Sequence, residues 1–435
     1  MCGFATAESN GHGGNKRMKT FRYALLGLAL GVVQAHAADS LVPSLGAAGG
    51  YQPAQTSFVG PSVYVPSTGA VTGTGIVVGA ARLHPGVTVS EGHDSNVNLM
   101  TGPGRLTSNF TLVEPQLILS RELNATEHYD AYYKGSYAKY SSASSYDYND
   151  SFFGVDGAKA LTERLRMSFK LEYQMGHDAA NSYVATNAIE RWTSPTAQFL
   201  VHYGTPESKG QIEVEGDYKQ QRYKDPLMQL YDIDESRLVG RFFLRLHPKT
   251  HGILEAAVQQ DRYPNYGASN GSQQRVTAGL QWDATAKTSG VAKIGMMHES
   301  VSGGGGGNSG LAWDAAITYK PRSYSQIKLE GSREYAEWAN ANNAYILTQG
   351  ATLEWVQHWT YRIKSTAGLL NYRDQFLGSG RVDDRHGVSL KAEYAFGHQN
   401  IFHLGLQELL LDRSSNTPGF SFHEAITLLS LGVQL

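Results

Sequence analysis

The 435-residue chain contains very little cysteine and comparatively little charge. Cys2 is its only cysteine, so no internal disulfide stabilises the chain. Charged residues make up 17% of the sequence, against about 25% in typical soluble domains. No apolar run reaches the roughly 20 residues of a membrane-spanning helix, which excludes a helical membrane protein. The formal charge of −2 provides no electrostatic footprint for nucleic acid, and we expect no such partner.

Glycine and tyrosine, by contrast, are abundant. The 48 glycines disfavour helices, where each costs about 1 kcal/mol relative to alanine. The 25 tyrosines suit strands, in which aromatic residues are enriched. The composition therefore indicates a protein of many strands and turns.

The longest apolar run lies near the amino terminus and predicts a secretory signal peptide over residues 1–37. Residues 23–33 form its apolar core, and Ala35-His36-Ala37 places small residues where signal peptidase reads them. The positive segment before the core consists of Lys16, Arg17, Lys19 and Arg22. We therefore expect an exported chain that is cleaved after Ala37.

Residues 38–81 are rich in Gly, Ser, Thr, Pro and Ala and carry almost no charge, as residues 69–75 illustrate. No helical or alternating pattern persists there. We predict a flexible or extended low-complexity arm on the periplasmic side. A plug or a partner-docking segment is the alternative interpretation.

From residue 82 to the last residue the dominant pattern has a period of two, which places alternate side chains on opposite faces of a strand. Within 165–175 the odd positions are Leu, Met, Phe, Leu, Tyr and Met, and the even positions are Arg, Ser, Lys, Glu and Gln. The segments run to about 10–15 residues, longer than the ~5–6 usual in soluble strands. Eighteen segments are centred near residues 88, 115, 133, 154, 170, 198, 215, 241, 256, 279, 294, 316, 330, 350, 366, 391, 406 and 429.

Short and long connections alternate between these segments. Short ones include 161–164 and 247–250, and longer ones include 93–107 and 177–188. Short periplasmic turns, longer external loops and an even strand number are the layout of bacterial outer-membrane barrels. We therefore predict an all-β fold, a transmembrane antiparallel β-barrel of about 18 strands over residues 82–435, in the outer membrane of a Gram-negative bacterium.

Closure of the sheet has a direct physical reason. In hydrocarbon each unpaired backbone amide costs several kcal/mol, so a spanning sheet cannot keep open edges. The apolar side of each strand then faces membrane lipid and the polar side faces the lumen. The last segment alternates up to Leu435 and resembles the signal read by the barrel-assembly machinery, which we expect as a partner, although it ends on Leu instead of the usual Phe.

Three short motifs carry a family resemblance. Residues 92–97 read Gly-His-Asp-Ser-Asn-Val and look like a Gly-Tyr-Asp-Asp/Ser-Asn-Val motif with His93 in place of the more frequent Tyr. Residues 133–140 read Tyr-Lys-Gly-Ser-Tyr-Ala-Lys-Tyr, and residues 176–178 read Gly-His-Asp. With the order and spacing of the strands, residues 82–435 resemble the Putative beta-barrel porin 2 family. The resemblance implies a channel that passes a polysaccharide through the outer membrane together with periplasmic export or synthesis components.

An 18-stranded barrel encloses an aqueous channel. The alternation assigns charged residues of both signs to its wall, which indicates no strong preference for anions or cations. Arg237, Arg241 and Arg245 form one basic file that either steers an acidic polymer or pairs with acids such as Glu213 and Glu215, and we favour the pairing. The lumen-facing candidates are Lys170, Glu172, Glu213, Glu215, Asp217, Lys219, Arg237, Arg241, Arg245, Lys328, Glu330, Glu334, Arg362, Lys364, Lys391 and Glu393.

We predict no catalytic, cofactor-binding or metal site, and no enzyme. Neither a Gly-x-Ser-x-Gly elbow nor a His-Glu-x-x-His helix is present, and the glycine run at 303–307 lacks the Lys-Ser/Thr of a phosphate loop. The leading hypothesis is an export channel for an exopolysaccharide or capsular polysaccharide. A general or sugar-selective diffusion porin is the alternative, and a barrel hydrolase is the third. A loop folded into the lumen would favour the diffusion porin.

Overall fold

A computed structural model describes residues 75–124, 126–181, 186–283, 287–303, 307–337 and 345–435. The predicted signal peptide and residues 38–74 of the predicted arm lie outside the described residues. Within the arm as predicted, Ile76–Val78 form a short strand, β1, which pairs with the beginning of the next strand.

Eighteen longer strands follow. Their bounds are β2 Ala81–Asp94, β3 Ser108–Asn124, β4 Glu127–Tyr140, β5 Tyr148–Ala160, β6 Leu165–Asp178, β7 Glu190–Tyr203, β8 Gly210–Tyr223, β9 Ile233–His247, β10 Thr250–Arg262, β11 Gly271–Trp282, β12 Thr288–Val301, β13 Gly307–Arg322, β14 Ser325–Glu337, β15 Tyr345–His358, β16 Ile363–Phe376, β17 Val382–Phe396, β18 Phe402–Ser415 and β19 Phe422–Gln434. Each predicted strand centre falls inside one of them, so the predicted count and order are confirmed.

The sheet closes on itself. Each strand from β2 to β19 pairs antiparallel with the next, and β19 pairs antiparallel with β2 from Ile426↔Asp94 to Gln434↔Gly86. The closed sheet leaves the last strand no open edge, which satisfies the backbone requirement that a membrane imposes. The structure thus confirms an all-β, 18-stranded antiparallel barrel.

The two ends of the barrel differ in their connections. One end carries tight turns such as 248–249 and 323–324, and both termini of the barrel lie there, with the Leu435 amide donating to the Pro85 carbonyl oxygen at 3.0 Å. The other end carries the longer loops, including 95–107 and 179–189. We call these the short-turn end and the long-loop end.

The two faces of the wall differ as the alternation predicts. On β9, Leu238 and Phe242 point outward with 53% and 43% of their surface exposed, whereas Val239 and Arg241 point inward and are buried. Outward Leu, Val, Ile and Phe recur on every neighbouring strand. The barrel therefore has an apolar outer surface and a largely polar inner wall.

Short 3-10 helices occur in several loops, for example Gly267–Ser269. Among the residues that the structure describes, no helix has the length and apolar character needed to span a bilayer.

Candidate functional site: the inner wall and the long-loop mouth

Arg241 lies at the centre of a buried group of charges on the inner wall. β9 places it between β8 and β10, where its Nη1 donates to Glu213 Oε1 at 2.5 Å and to Glu215 Oε2 at 2.7 Å. Its Nε donates to Glu255 Oε2 on β10 at 2.8 Å. One guanidinium thus holds three carboxylates from two neighbouring strands.

The same group continues toward β13 through Lys293. Its Nζ lies 2.9 Å from Glu255 Oε2 and 3.2 Å from Asp314 Oδ1, and Arg275 also pairs with Asp314. We call Glu213, Glu215, Arg241, Glu255, Arg275, Lys293 and Asp314 the ion-pair belt. The belt consists of three cations and four anions, all nearly inaccessible to solvent.

An apolar layer adjoins the belt on its short-turn side. It consists of Phe243, Ile253, Val291 and Ala316, which contact one another on the inner wall. Each follows or precedes a belt residue by two positions, so it shares that residue's face of the strand. The layer keeps water from one side of the belt, which strengthens the ion pairs inside it.

The contacts of Arg237, Arg241 and Arg245 bear on whether this basic file steers an acidic polymer or pairs with neighbouring acids. Arg241 pairs with Glu213 and Glu215, as the favoured interpretation predicts. Arg237 faces Asp217 across the β8–β9 ladder, and Arg245 donates from Nη1 to the Glu207 carbonyl oxygen at 2.8 Å near the short-turn end. A file whose central member is neutralised and buried offers little free positive charge to an acidic polymer.

Most other predicted lumen residues also lie on the inner face, in pairs. Lys170 Nζ lies 2.9 Å from Glu172 Oε2, Lys328 Nζ lies 2.7 Å from Glu330 Oε1, and Lys364 Nζ lies 2.8 Å from Glu393 Oε2. Lys219 with Glu235 and Lys391 with Glu393 form two further pairs. Glu334 is buried on β14. Because Glu393 serves two lysines, these pairs contain five lysines and four glutamates, and Glu334 is the fifth acid that balances them.

Arg362 is the exception among the predicted lumen residues. It lies in the turn between β15 and β16, where its guanidinium carbon is 5.0 Å from the centre of the Tyr361 ring. The prediction placed Arg362 on the inner wall because it continued the strand alternation one residue too far. The strand β16 begins only at Ile363.

Four members of the belt were absent from the predicted set: Glu255, Arg275, Lys293 and Asp314. Glu255, Lys293 and Asp314 are each a single charged residue between apolar or small neighbours on a predicted strand, as Lys293 between Ala292 and Ile294 shows. Arg275 lies between Gln274 and Val276. The same alternation that placed Arg241 therefore contained the signal for these residues.

The loop 95–107 at the long-loop end folds into the barrel. Leu99, only 1% exposed, packs against Leu409, Leu411 and Phe422. Leu409 and Leu411 lie on the inner face because they alternate with the outward Leu410 on β18. Phe422 lies on the inner face of β19, opposite in alternation to the outward Leu429 and Leu431. The loop is thus anchored on the inner wall of β18 and β19.

Asparagine side chains hold this loop in its folded form. Asn96 Nδ2 donates to the carbonyl oxygens of Met100 and His423 at 3.0 and 2.9 Å, and Asn98 Oδ1 accepts from the Leu106 amide at 2.9 Å. Asn96 belongs to the motif at residues 92–97. The motif therefore shapes an inward loop that closes over part of the lumen.

The connection between β6 and β7 contacts the first loop through its described residues, 179–181 and 186–189. Asn181 Nδ2 donates to the Asn98 carbonyl oxygen at 2.8 Å, and Arg413 Nη2 on the wall of β18 donates to the Asn181 carbonyl oxygen at 2.9 Å. From the loop 141–147, Tyr146 Oη donates to the Asn187 carbonyl oxygen at 3.0 Å. Burial raises the pKa of the Tyr146 phenol, which keeps it a donor. We call the contacts of Asn96, Asn98, Leu99, Asn181 and Arg413 the mouth cluster.

The described residues contain no group of three or more His, Cys, Asp or Glu arranged to hold a metal ion. The chain is a porin-like barrel of the outer-membrane type. The sheet is closed, its outer face is apolar, its inner wall carries paired charges, and loops fold into one mouth.

The family follows from the sequence. Residues 70–435 match the family described as Putative beta-barrel porin 2, and the chain belongs to it. This confirms the resemblance predicted from the motifs. Both the family and the fold indicate a channel rather than an enzyme. No curated protein matches the chain.

Solved structures of similar form include several porins of low sequence identity. A BenF-like porin from Pseudomonas fluorescens Pf-5 is 9% identical, with 82% of this chain and 100% of that chain covered and a TM-score of 0.47. Pseudomonas aeruginosa OccK2 (OpdF) is 9% identical, with coverages of 82% and 98% and a TM-score of 0.46. Acinetobacter baumannii OccAB4 is 8% identical, with coverages of 81% and 98% and a TM-score of 0.42.

Proposed function

We propose that the protein is an outer-membrane diffusion porin that admits small hydrophilic solutes through a lumen narrowed at its long-loop mouth. Membership in a porin family supports a channel, and the apolar exterior supports a site in the outer membrane. The observation that carries the proposal is the mouth cluster, because it places two loops against the inner wall. An inward loop is the feature that separates a diffusion porin from a wide export duct.

The electrostatics of the wall support solutes of either sign or none. The three cations of the belt are all paired with carboxylates at short distance, so the belt presents no file of free positive charge. A conducting pore needs contacts that are weak enough to release the solute. Buried charges that are already paired with each other attract a passing solute only weakly, so they meet this requirement.

Polysaccharide export, the leading hypothesis from the resemblance, is the less supported function. A polymer chain occupies the full length of the lumen while it moves. Leu99 and Asn181 stand in its path at the mouth, and Arg413 holds Asn181 in place. Export would require these contacts to open for every polymer chain.

Liposome swelling tests the proposed function. Purified protein in liposomes should admit small neutral sugars at rates that fall steeply as the sugars grow from mono- to tetrasaccharide. A deletion strain should lose uptake of a small nutrient and keep its secreted polysaccharide. Liposomes that remain impermeable to monosaccharides, together with lost polysaccharide in the deletion strain, would contradict the porin and restore the export hypothesis.

A further inference from the structure

The barrel wall separates between β13 and β14 at the long-loop end. Their paired register runs as far as Trp313↔Arg333 and stops there. On one side, β12 and β13 remain paired up to Ser300↔Gly307, and on the other, β14 and β15 remain paired up to Glu337↔Tyr345. Residues 307–312 of β13 therefore lie along an edge that β14 has left.

The ends of β14 and β15 lie on the inner side of the wall formed by their neighbours. Tyr335 and Leu347 belong to the outer face by alternation, because Leu329 and Leu353 on the same strands are exposed outward. Tyr335 and Leu347 are instead buried in one cluster with Met297 and Ala312, which lie on the inner face of β12 and β13. The outer face of β14–β15 thus packs against the inner face of its neighbours.

A hydrogen bond across the cluster holds this arrangement. Tyr345 Oη, at the start of β15, donates to Asp261 Oδ2 at the end of β10 at 2.8 Å. Gly271 leaves room for the contact, because a Cβ there would lie 2.5 Å from the Tyr345 hydroxyl. Arg333 Nη1 reaches the Leu311 carbonyl oxygen and so occupies a backbone acceptor on the vacated edge.

We propose that residues 334–337 and 345–347, the ends of β14 and β15, form a flap that alternates between the lumen and the wall and thereby gates the channel. In the structure the flap lies on the lumen side of the wall. In the second state the existing β13–β14 register continues upward and pairs Leu311 with Tyr335. The proposal deepens the proposed function and rests on it, because a gate requires a channel.

Both states give Tyr335, Tyr345 and Leu347 of the flap an apolar surface to pack against. Inside, Tyr335, Tyr345 and Leu347 are buried against Met297 and Ala312. In the wall, the same side chains would point outward beside Leu311 and Trp313, where outer-membrane barrels carry their aromatic girdle. The ladder to β13 would also complete the edge that a barrel otherwise avoids. Two well-packed alternatives are the requirement for a two-state switch.

A disulfide tests whether the second state exists. In a Cys2→Ser background, Leu311→Cys with Tyr335→Cys should form a disulfide on oxidation, because directly opposed residues of an antiparallel pair lie within bridging distance. The matched control is Ile317→Cys with Leu329→Cys, an outward pair already opposed in the same ladder. A control pair that oxidises while the 311/335 pair stays reduced would overturn the flap.

Conductance in planar bilayers tests whether the flap gates. Oxidation of the 311/335 variant should raise the mean conductance at least about twofold, and reduction should restore the original value, whereas the control pair should show no change. A disulfide that forms with unchanged conductance overturns gating and leaves the porin standing. A barrel that conducts in no state contradicts the proposed function, while the disulfide yields still report on the flap.

A milder variant avoids the disulfide. Tyr345→Phe removes the hydroxyl that Asp261 accepts and should raise the ratio of open to closed time about tenfold, the change expected from losing a hydrogen bond to a carboxylate. Tyr335→Phe is the matched control, because the Tyr335 hydroxyl makes no hydrogen bond within the described part of the chain. Equal open times in both variants would contradict the closing role of Tyr345.

Discussion

Arg241 is an inner-wall residue whose removal leaves three buried carboxylates without their shared cation. Its guanidinium is buried and pairs with Glu213, Glu215 and Glu255 at 2.5–2.8 Å. Removing one partner of a buried ion pair leaves the remaining charge buried and uncompensated, which costs about 3–5 kcal/mol of stability. The belt therefore constrains which substitutions the inner wall accepts, although it lies away from the mouth.

We expect Arg241→Gln to reduce barrel stability by about 3–5 kcal/mol, because three carboxylates lose their common cation. Arg245→Gln on the same strand should change stability by less than about 1 kcal/mol, because its side chain is only half buried and contacts a carbonyl oxygen. Urea titrations followed by heat-modifiable gel mobility measure both. Equal losses in the two variants would show that the pairing does not matter.

At the scale of the strand, β6 shows what sequence alone can establish. Its alternation predicted both faces correctly: Leu171 is exposed outward and Lys170 pairs with Glu172 on the inner face. Strand positions follow from a local period of two, so one segment suffices to predict them. The partners of Glu172 were not predictable in the same way, because Tyr132 Oη reaches it from β4, two strands away.

The loops were less predictable for the same reason. Leu99 lies in a polar loop, and only the closed barrel brings it to Leu409 and Phe422, far along the chain. The longer connection at 93–107 is predicted as an external loop, whereas the structure turns residues 95–107 inward. Contacts between distant segments depend on barrel closure and stagger, which no local pattern specifies.

The facing of β6 can be tested directly. Leu171→Arg should impair assembly, because arginine on the lipid face near mid-bilayer costs roughly 2–4 kcal/mol. Gln174→Arg, on the inner face of the same strand and beside Glu172, should assemble normally. The folded fraction on heat-modifiable gels gives the answer. Normal assembly of Leu171→Arg would mean that this face does not contact lipid.

At the scale of the whole molecule, the barrel predicts an orientation. The first barrel strand, β2, begins and the last, β19, finishes at the short-turn end, so a chain delivered from the periplasm places the long loops outside. An epitope inserted at Gly267 should be accessible to antibody on intact cells, and one inserted near Gln399 should require permeabilised cells. Labelling of the second site on intact cells would reverse the orientation.

The central claim is that the mouth cluster narrows a diffusion channel. Single-channel conductance of Leu99→Ala tests it most directly, because this change removes the apolar contacts that anchor the loop 95–107 on Leu409, Leu411 and Phe422. Leu106→Ala in the same loop is the control, because Leu106 is exposed. The account predicts a clearly higher conductance for Leu99→Ala than for wild type, with Leu106→Ala unchanged. Conductances that are the same in all three proteins would contradict it.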